Sequence, residues 1–201
     1  MILGLTGSFG SGKTTVSDML EEKGACVIDA DDISHQVTKP GSEGLEQIKK
    51  VFGNDFIKSD GSLDRKKMAL HVFSNEQALR KLENIIHPLV EKRMMKKIEE
   101  NRGHPLIVLT IPLMFEAGFE KMADKTVTVT VSPETRIERI RSSRNMSRQD
   151  IERRLENQLP QEEKSKRSDF IINNNGSLEE TKRQLDGLIS KLNIKGMKNA
   201  E

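Results

Sequence analysis

The sequence predicts an α/β fold: a three-layer phosphate-loop fold with a mostly parallel sheet, a helical substrate-binding insertion and a lid. Three observations carry this. Short continuous apolar runs alternate with amphipathic helical stretches, as expected of a parallel sheet covered on both faces. Gly7 to Thr14 read Gly-Ser-Phe-Gly-Ser-Gly-Lys-Thr, which fits G-x-x-x-x-G-K-[ST] directly after the first apolar run. Two long segments then interrupt the strand–helix rhythm.

Ile2 to Thr6 reads as a buried first strand, and Lys13 to Lys23 as a helix with Val16, Met19 and Leu20 on one face. Gly24 is placed to end that helix. Cys26-Val27-Ile28-Asp29 reads as the second strand, and Leu106 to Ile111 as the third, ended by Pro112. Thr126 to Val131 is rich in β-branched residues and stops at Ser132-Pro133-Glu134, a helix start with Pro in the first turn. Phe170-Ile171-Ile172 reads as the last strand, and Ser177 with Glu180 matches a capping box for a final helix. Residues 1–32, 104–136 and 167–201 therefore form the core. Residues 33–103 look helical and read as the insertion. Residues 137–166, dense in arginine, read as the lid. Residues 195–201 read as a frayed end.

Composition narrows the function classes. Lys+Arg total 33 against Asp+Glu 31, so no global charge points to nucleic acid. Aromatics are 3 % with no Trp or Tyr, which argues against base-stacking platforms. Cys26 is the single cysteine and excludes an intramolecular disulfide. No apolar run reaches membrane-spanning length, and the N-terminus reads as a strand rather than a signal peptide. The expectation is a reduced, soluble, cytoplasmic protein without membrane or nucleic-acid partners; its oligomeric state is not readable.

The chemistry begins at the loop. Glycine-rich backbone delivered to a helix N-terminus offers unpaired N–H groups and a favourable dipole to a phosphate. Gly10, Ser11, Gly12, Lys13, Thr14 and Thr15 are the expected ATP-binding residues. Lys13 would reach the β- and γ-phosphates, and Thr14 would offer its hydroxyl to Mg²⁺. Ligands in open parallel sheets sit beyond the carboxyl ends of the strands, which draws attention to Asp29-Ala30-Asp31-Asp32. Asp31 is the expected general base, and Asp32 fits better as a helix cap. The third strand lacks a terminal Asp, and no Asn-Lys-x-Asp guanine-reading sequence occurs. Both absences point away from motor ATPases and switch GTPases, towards small-molecule kinases. A non-catalytic nucleotide sensor would need no acid such as Asp31.

Other residues stay open at this level. Arg141 and Arg144 could share a helical face aimed at the transferring phosphoryl group, with Arg144 preferred; most neighbouring arginines should pair with local acids. His87-Pro88 could aim His87 at a ligand or merely mark a helix boundary. Asp64 reads as an N-cap at least as well as a ligand, while Arg65 could meet an anionic group. Asn173-Asn174-Asn175-Gly176 is a turn or a base contact.

Taken together, the chain resembles the dephospho-CoA kinase family along nearly its whole length. The resemblance rests on Leu5-Thr6-Gly7 through Lys13-Thr14, Val27 to Asp31, Leu63-Asp64-Arg65, His87-Pro88-Leu89 and Ile111 to Glu116. It continues in Arg141 to Arg144, Asn157-Gln158 and Asp169 to Gly176. It implies transfer of the ATP γ-phosphoryl group to the ribose 3′-hydroxyl of dephospho-CoA, the last step of coenzyme A synthesis. It also implies that residues 33–103 bind the CoA-side substrate. By position it implies Asp31 as base and Lys13 with a lid arginine on the phosphoryl group. Thr6, Arg65, His87 and Glu116 would surround the acceptor, with Arg144 and Asn174 on the ATP side. Ser8-Phe9, Met114 and Asn173 depart from the family's usual residues without removing one the chemistry requires.

Overall fold

The computed structural model describes residues 1–144, 148–194 and 196–197, apart from the side chains of 143, 144, 149, 150, 153 and 154. In order, the elements are β1 (Ile2–Thr6), α1 (Lys13–Glu22), β2 (Cys26–Asp29), α2 (Ala30–Val37), α3 (Glu43–Phe52), α4 (Arg65–Phe73) and α5 (Glu76–Glu100). They continue with β3 (Ile107–Thr110), β4 (Lys125–Thr130), α6 (Pro133–Arg144), α7 (Arg148–Glu156), α8 (Gln161–Arg167), β5 (Phe170–Asn173) and α9 (Leu178–Lys191). The chain divides into two compact units, Met1–Asp29 with Glu100–Glu201, and Ala30–Glu99.

The first unit is built on a five-stranded sheet of order β2-β3-β1-β4-β5. Every neighbouring pair is parallel, with Leu3 beside Val108 on one side and beside Lys125 on the other. Central strands of this kind are covered on both faces, which is why β1 is apolar throughout rather than alternating. Leu3, Leu5, Val108, Val127 and Val129 meet Val16 and Leu20 of α1 and Leu185, Leu188 and Ile189 of α9 in one core. Ser177 and Glu180 form the capping box that starts α9. Gly4 leaves room in β1 for Met114, whose Cε would lie 2.7 Å from a Cβ there. Met197 is 9 % exposed and joins this core, so the expectation of a frayed C-terminus fails at that residue. An apolar side chain near a core edge gains by docking there. Residues 195 and 198–201 lie outside the description.

The chain leaves β1 towards β2 on one side and β3 towards β4 on the other. The crevice beyond the carboxyl ends of β1 and β3 is therefore the switch point where ligands of such sheets bind. The Gly7–Thr14 loop and the Pro112–Glu116 turn both start at these ends.

The second unit is helical. Leu45, Ile48, Met68, Val72, Ala78 and Ile85 form its core, with Phe52, Phe56 and Leu89 packed against them. Ser42 caps α3 by accepting from the Leu45 N–H, and Asp64 caps α4 by accepting from the Lys67 N–H. No helix boundary falls at His87-Pro88, because Pro88 lies inside α5. The lost hydrogen bond costs the helix, but before Pro88 Ile85 belongs to the core, and Ile86 and Leu89 pack against it on either side.

Candidate active site at the carboxyl edge of the sheet

The phosphate loop is closed by its own lysine. Lys13 Nζ donates to the carbonyls of Gly7 at 2.7 Å and Ser8 at 3.4 Å. Gly12 precedes α1 in the left-handed region, φ 88°, and no side chain caps the helix. No acid lies in its first turn, so no carboxylate of α1 itself offsets the dipole at its N-terminus. A side chain at Gly12 would run into Asn174 Nδ2, and one at Gly10 into Ile140. Ser11 is fully buried, and its Oγ has no partner among the described residues. Thr14 is exposed and Thr15 half-buried on the first turn of α1. This is a glycine-lined backbone cradle at a helix N-terminus, the arrangement that favours a phosphate.

Asn174 stands behind the cradle. It is 4 % exposed; its Nδ2 donates to the Ser11 carbonyl at 2.9 Å, and its Oδ1 accepts from Thr181 Oγ1 at 2.9 Å. Its backbone is held as well, by Thr130 O at 2.8 Å and by Arg139, whose guanidinium reaches Asn174 O at 2.7 Å. The carboxamide is thus bound to the loop's backbone. Asn175 Oδ1 accepts from the Ser132 N–H at 2.6 Å, and its Nδ2 donates to Asn173 Oδ1, so this turn is internally tied.

On the other side of the crevice, Thr6 Oγ1 donates to Pro112 O at 3.3 Å. Glu116 lies on the turn after β3; its side chain is 19 % exposed and its Oε1 accepts from the Leu159 N–H at 2.8 Å. The same oxygen meets Lys164 Nζ at 2.8 Å. Gln158 Oε1 accepts from the Phe9 N–H of the loop at 2.9 Å. Sequence reasoning missed Lys164 because it sits in the run Glu162-Glu163-Lys164-Ser165-Lys166, which reads as a solvated face.

Arg136, which precedes the arginine-rich stretch, is a second buried cation that sequence reasoning did not single out. Arg136 is 7 % exposed and donates to Gln161 Oε1 and Val131 O; its Nε has no partner among the described residues. Burial pushes its pKa down from the ordinary arginine range. Arg141 is exposed, Arg148 pairs with Glu152 as expected, and the side chain of Arg144 lies outside the described residues.

In the second unit, Asp31 is exposed in the first turn of α2, directly after the last residue of β2 and Ala30. Arg65 donates to Thr38 Oγ1 and His35 O and meets no carboxylate among the described residues. His87 is half-buried on α5. No group of three or more metal-ligating side chains occurs among the described residues. No described helix is long and apolar enough to cross a membrane.

A glycine cradle between the central strand of this sheet and an uncapped helix defines a phosphate-loop kinase fold. Comparison with known proteins narrows it further. The sequence model described as dephospho-CoA kinase matches residues 1–180. A dephospho-CoA kinase of Bacillus thuringiensis subsp. konkukian is 39 % identical over 196 residues, 96 % of this chain and 98 % of that one. Among solved structures, a Thermus thermophilus protein superposes with a TM-score of 0.84 at 34 % identity, covering 96 % of this chain and 97 % of that one. Dephospho-CoA kinase from Campylobacter jejuni gives a TM-score of 0.69 at 29 % identity, covering 97 % and 98 %. The chain belongs to the dephospho-CoA kinase family.

Proposed function

We propose that this chain transfers the γ-phosphoryl group of ATP to the ribose 3′-hydroxyl of dephospho-CoA, giving coenzyme A and ADP. The observation that carries this is the cradle of Gly10, Ser11, Gly12 and the uncapped N-terminus of α1 at the sheet's switch point, in a chain of this family. The N–H groups of Gly10 to Thr15 would hold the triphosphate. Lys13 would exchange the Gly7 and Ser8 carbonyls for β- and γ-phosphate oxygens. Thr14, exposed beside the cradle, fits a hard cation that takes most of its ligands from phosphates and water. When bound through Thr14, Mg²⁺ would neutralise charge on the β- and γ-oxygens.

In the reaction, Asp31 accepts the proton of the 3′-hydroxyl as that oxygen attacks the γ-phosphorus and the bond to the β-phosphate oxygen breaks. General-base help of this kind is worth roughly 10²–10⁴ in rate. Arg144 is assigned to the charge of the transferring group, and Asn174 to the ATP side, where it holds the Ser11 carbonyl. Thr6, Arg65, His87 and Glu116 are assigned to the acceptor. Arg65 supports this by carrying no carboxylate of its own among the described residues. Residues 33–103 serve as the acceptor-binding insertion, and residues 137–166 as a lid that keeps water from the phosphoryl group. A cytoplasmic location completes the reading.

The test is ADP release from Mg-ATP with and without dephospho-CoA, with the product examined for a new 3′-phosphate. Acceptor-dependent ADP with that product supports the proposal. Slow release indifferent to dephospho-CoA overturns it.

A further inference from the structure

Lys164 is fully buried. Its ammonium touches two groups, Glu116 Oε1 at 2.8 Å and Pro112 O at 2.7 Å. Both belong to the turn that leaves β3 at the switch point. Pro112 O is the carbonyl that Thr6 Oγ1 also reaches, and Glu116 Oε1 is the oxygen that holds the Leu159 N–H. The backbone of Lys164 is fixed too, since its carbonyl accepts from the buried Thr128 Oγ1 at 3.2 Å. Next to Leu159, Gln158 accepts from Phe9 of the phosphate loop. One ammonium therefore gathers the ends of β1 and β3, and through Glu116 the segment between α7 and α8.

Such an arrangement is a poor choice for stability alone. Replacing a buried ion pair by well-packed apolar side chains is often neutral or stabilising. Here an ammonium is kept where a methionine would fill the volume. Burial drives its pKa down, and the hydrogen bond and charge of Glu116 oppose that. What the charge adds is direction. Oε1 of Glu116 accepts from both Lys164 and Leu159, which leaves Oε2 without a protein partner among the described residues.

We propose that Lys164 is a positioning residue for phosphoryl transfer. It holds Glu116 oriented, so that Oε2 is presented to a hydroxyl of the acceptor, and it fixes Pro112 and Thr6 beside it. This rests on the assignment of Glu116 to the acceptor made above. Lys164 itself touches neither substrate.

The experiment compares wild type, Lys164→Met, Glu116→Gln and the double variant in steady-state kinetics against ATP and dephospho-CoA, with thermal unfolding of each. Lys164→Met should lower kcat/KM for dephospho-CoA about 10- to 100-fold, the range for losing one charge-assisted hydrogen bond. The KM for ATP should move by less than about threefold, and the melting temperature should not fall in proportion. Glu116→Gln should lose a similar factor, and the double variant no more than the worse single, because the two act as one unit. The proposal is overturned by acceptor kinetics in Lys164→Met within about threefold of wild type, by equal losses for both substrates, or by additive losses. Should Lys164→Met not fold, Lys164→Gln, which keeps a neutral donor one bond shorter, is held to the same criteria. A wild type that does not use dephospho-CoA at all defeats the proposed function instead, and is seen before any variant is made.

Discussion

Removing the Asn174 side chain tests how the phosphate cradle is held. Asn174→Ala strips the Nδ2 donor from the buried Ser11 carbonyl and the Oδ1 acceptor from Thr181. Thr181 keeps Ser177 O as an acceptor at 3.3 Å, so the main loss is at Ser11. A buried acceptor left without a donor costs about 1–3 kcal/mol, and the middle of that range, about 2 kcal/mol, is taken here. For a chain of this size each kcal/mol lowers the melting temperature by roughly 2–4 °C, so the variant should melt about 4–8 °C below wild type in a circular-dichroism scan. Gly12→Ala supplies the second arm. It adds positive-φ strain of about 1–2 kcal/mol and drives its Cβ into Asn174 Nδ2. In the Asn174→Ala background that collision is gone. The double variant should therefore be more stable than the sum of the singles by about 0.5–3 kcal/mol. Strict additivity, or an Asn174→Ala melting shift under about 1 °C with ATP affinity abolished, would refute the reasoning and make Asn174 a direct ligand of the nucleotide.

Three further outcomes follow from named contacts. Asp31→Asn should lower kcat by roughly 10²–10⁴ while ATP affinity in calorimetry stays near wild type; an unchanged kcat removes Asp31 as the base. Lys13→Ala should weaken both ATP binding and turnover, whereas loss of only one would separate loop closure on Gly7 and Ser8 from contact with the phosphates. Asp169 is held below the ordinary carboxylate range by the Lys125 ammonium, helped by the Thr126 N–H and hydroxyl and opposed by burial. Because its folded pKa is lowered, its contribution is full above the unfolded value of about 3.9 and vanishes as pH falls through the folded one. The gap in urea midpoint between wild type and Asp169→Asn should hold at neutral pH and close below about pH 4; a gap constant across that window contradicts the assignment.

Much of the molecule was legible in the chain because its causes are local. A loop of glycines before Lys13, the capping pair Ser177 and Glu180, the cap at Asp64 and the unbroken apolar runs each act within a few residues. They place strands, helix starts and the phosphate site without knowledge of what lies across the sheet. His87-Pro88 shows the limit of such reasoning. Proline weakens a helix locally, but Ile85 and Leu89 bury against α3 and α4, and packing outweighs the lost bond.

What the amino-acid order determined by itself was the inventory: five strands, the glycine cradle with Lys13, the candidate acid at Asp31 and the family blocks. Only the tertiary structure decided the strand order β2-β3-β1-β4-β5, and with it which loops share the crevice. It also decided that Lys164 and Arg136, drawn from charge-rich helices, turn inward, and that Asn174 clamps Ser11. The reason is one of range. Whether a charged or amide side chain is solvated or buried depends on partners 25 to 163 positions away, such as Gln161 for Arg136, Glu116 for Lys164 and Ser11 for Asn174, and no local pattern encodes them.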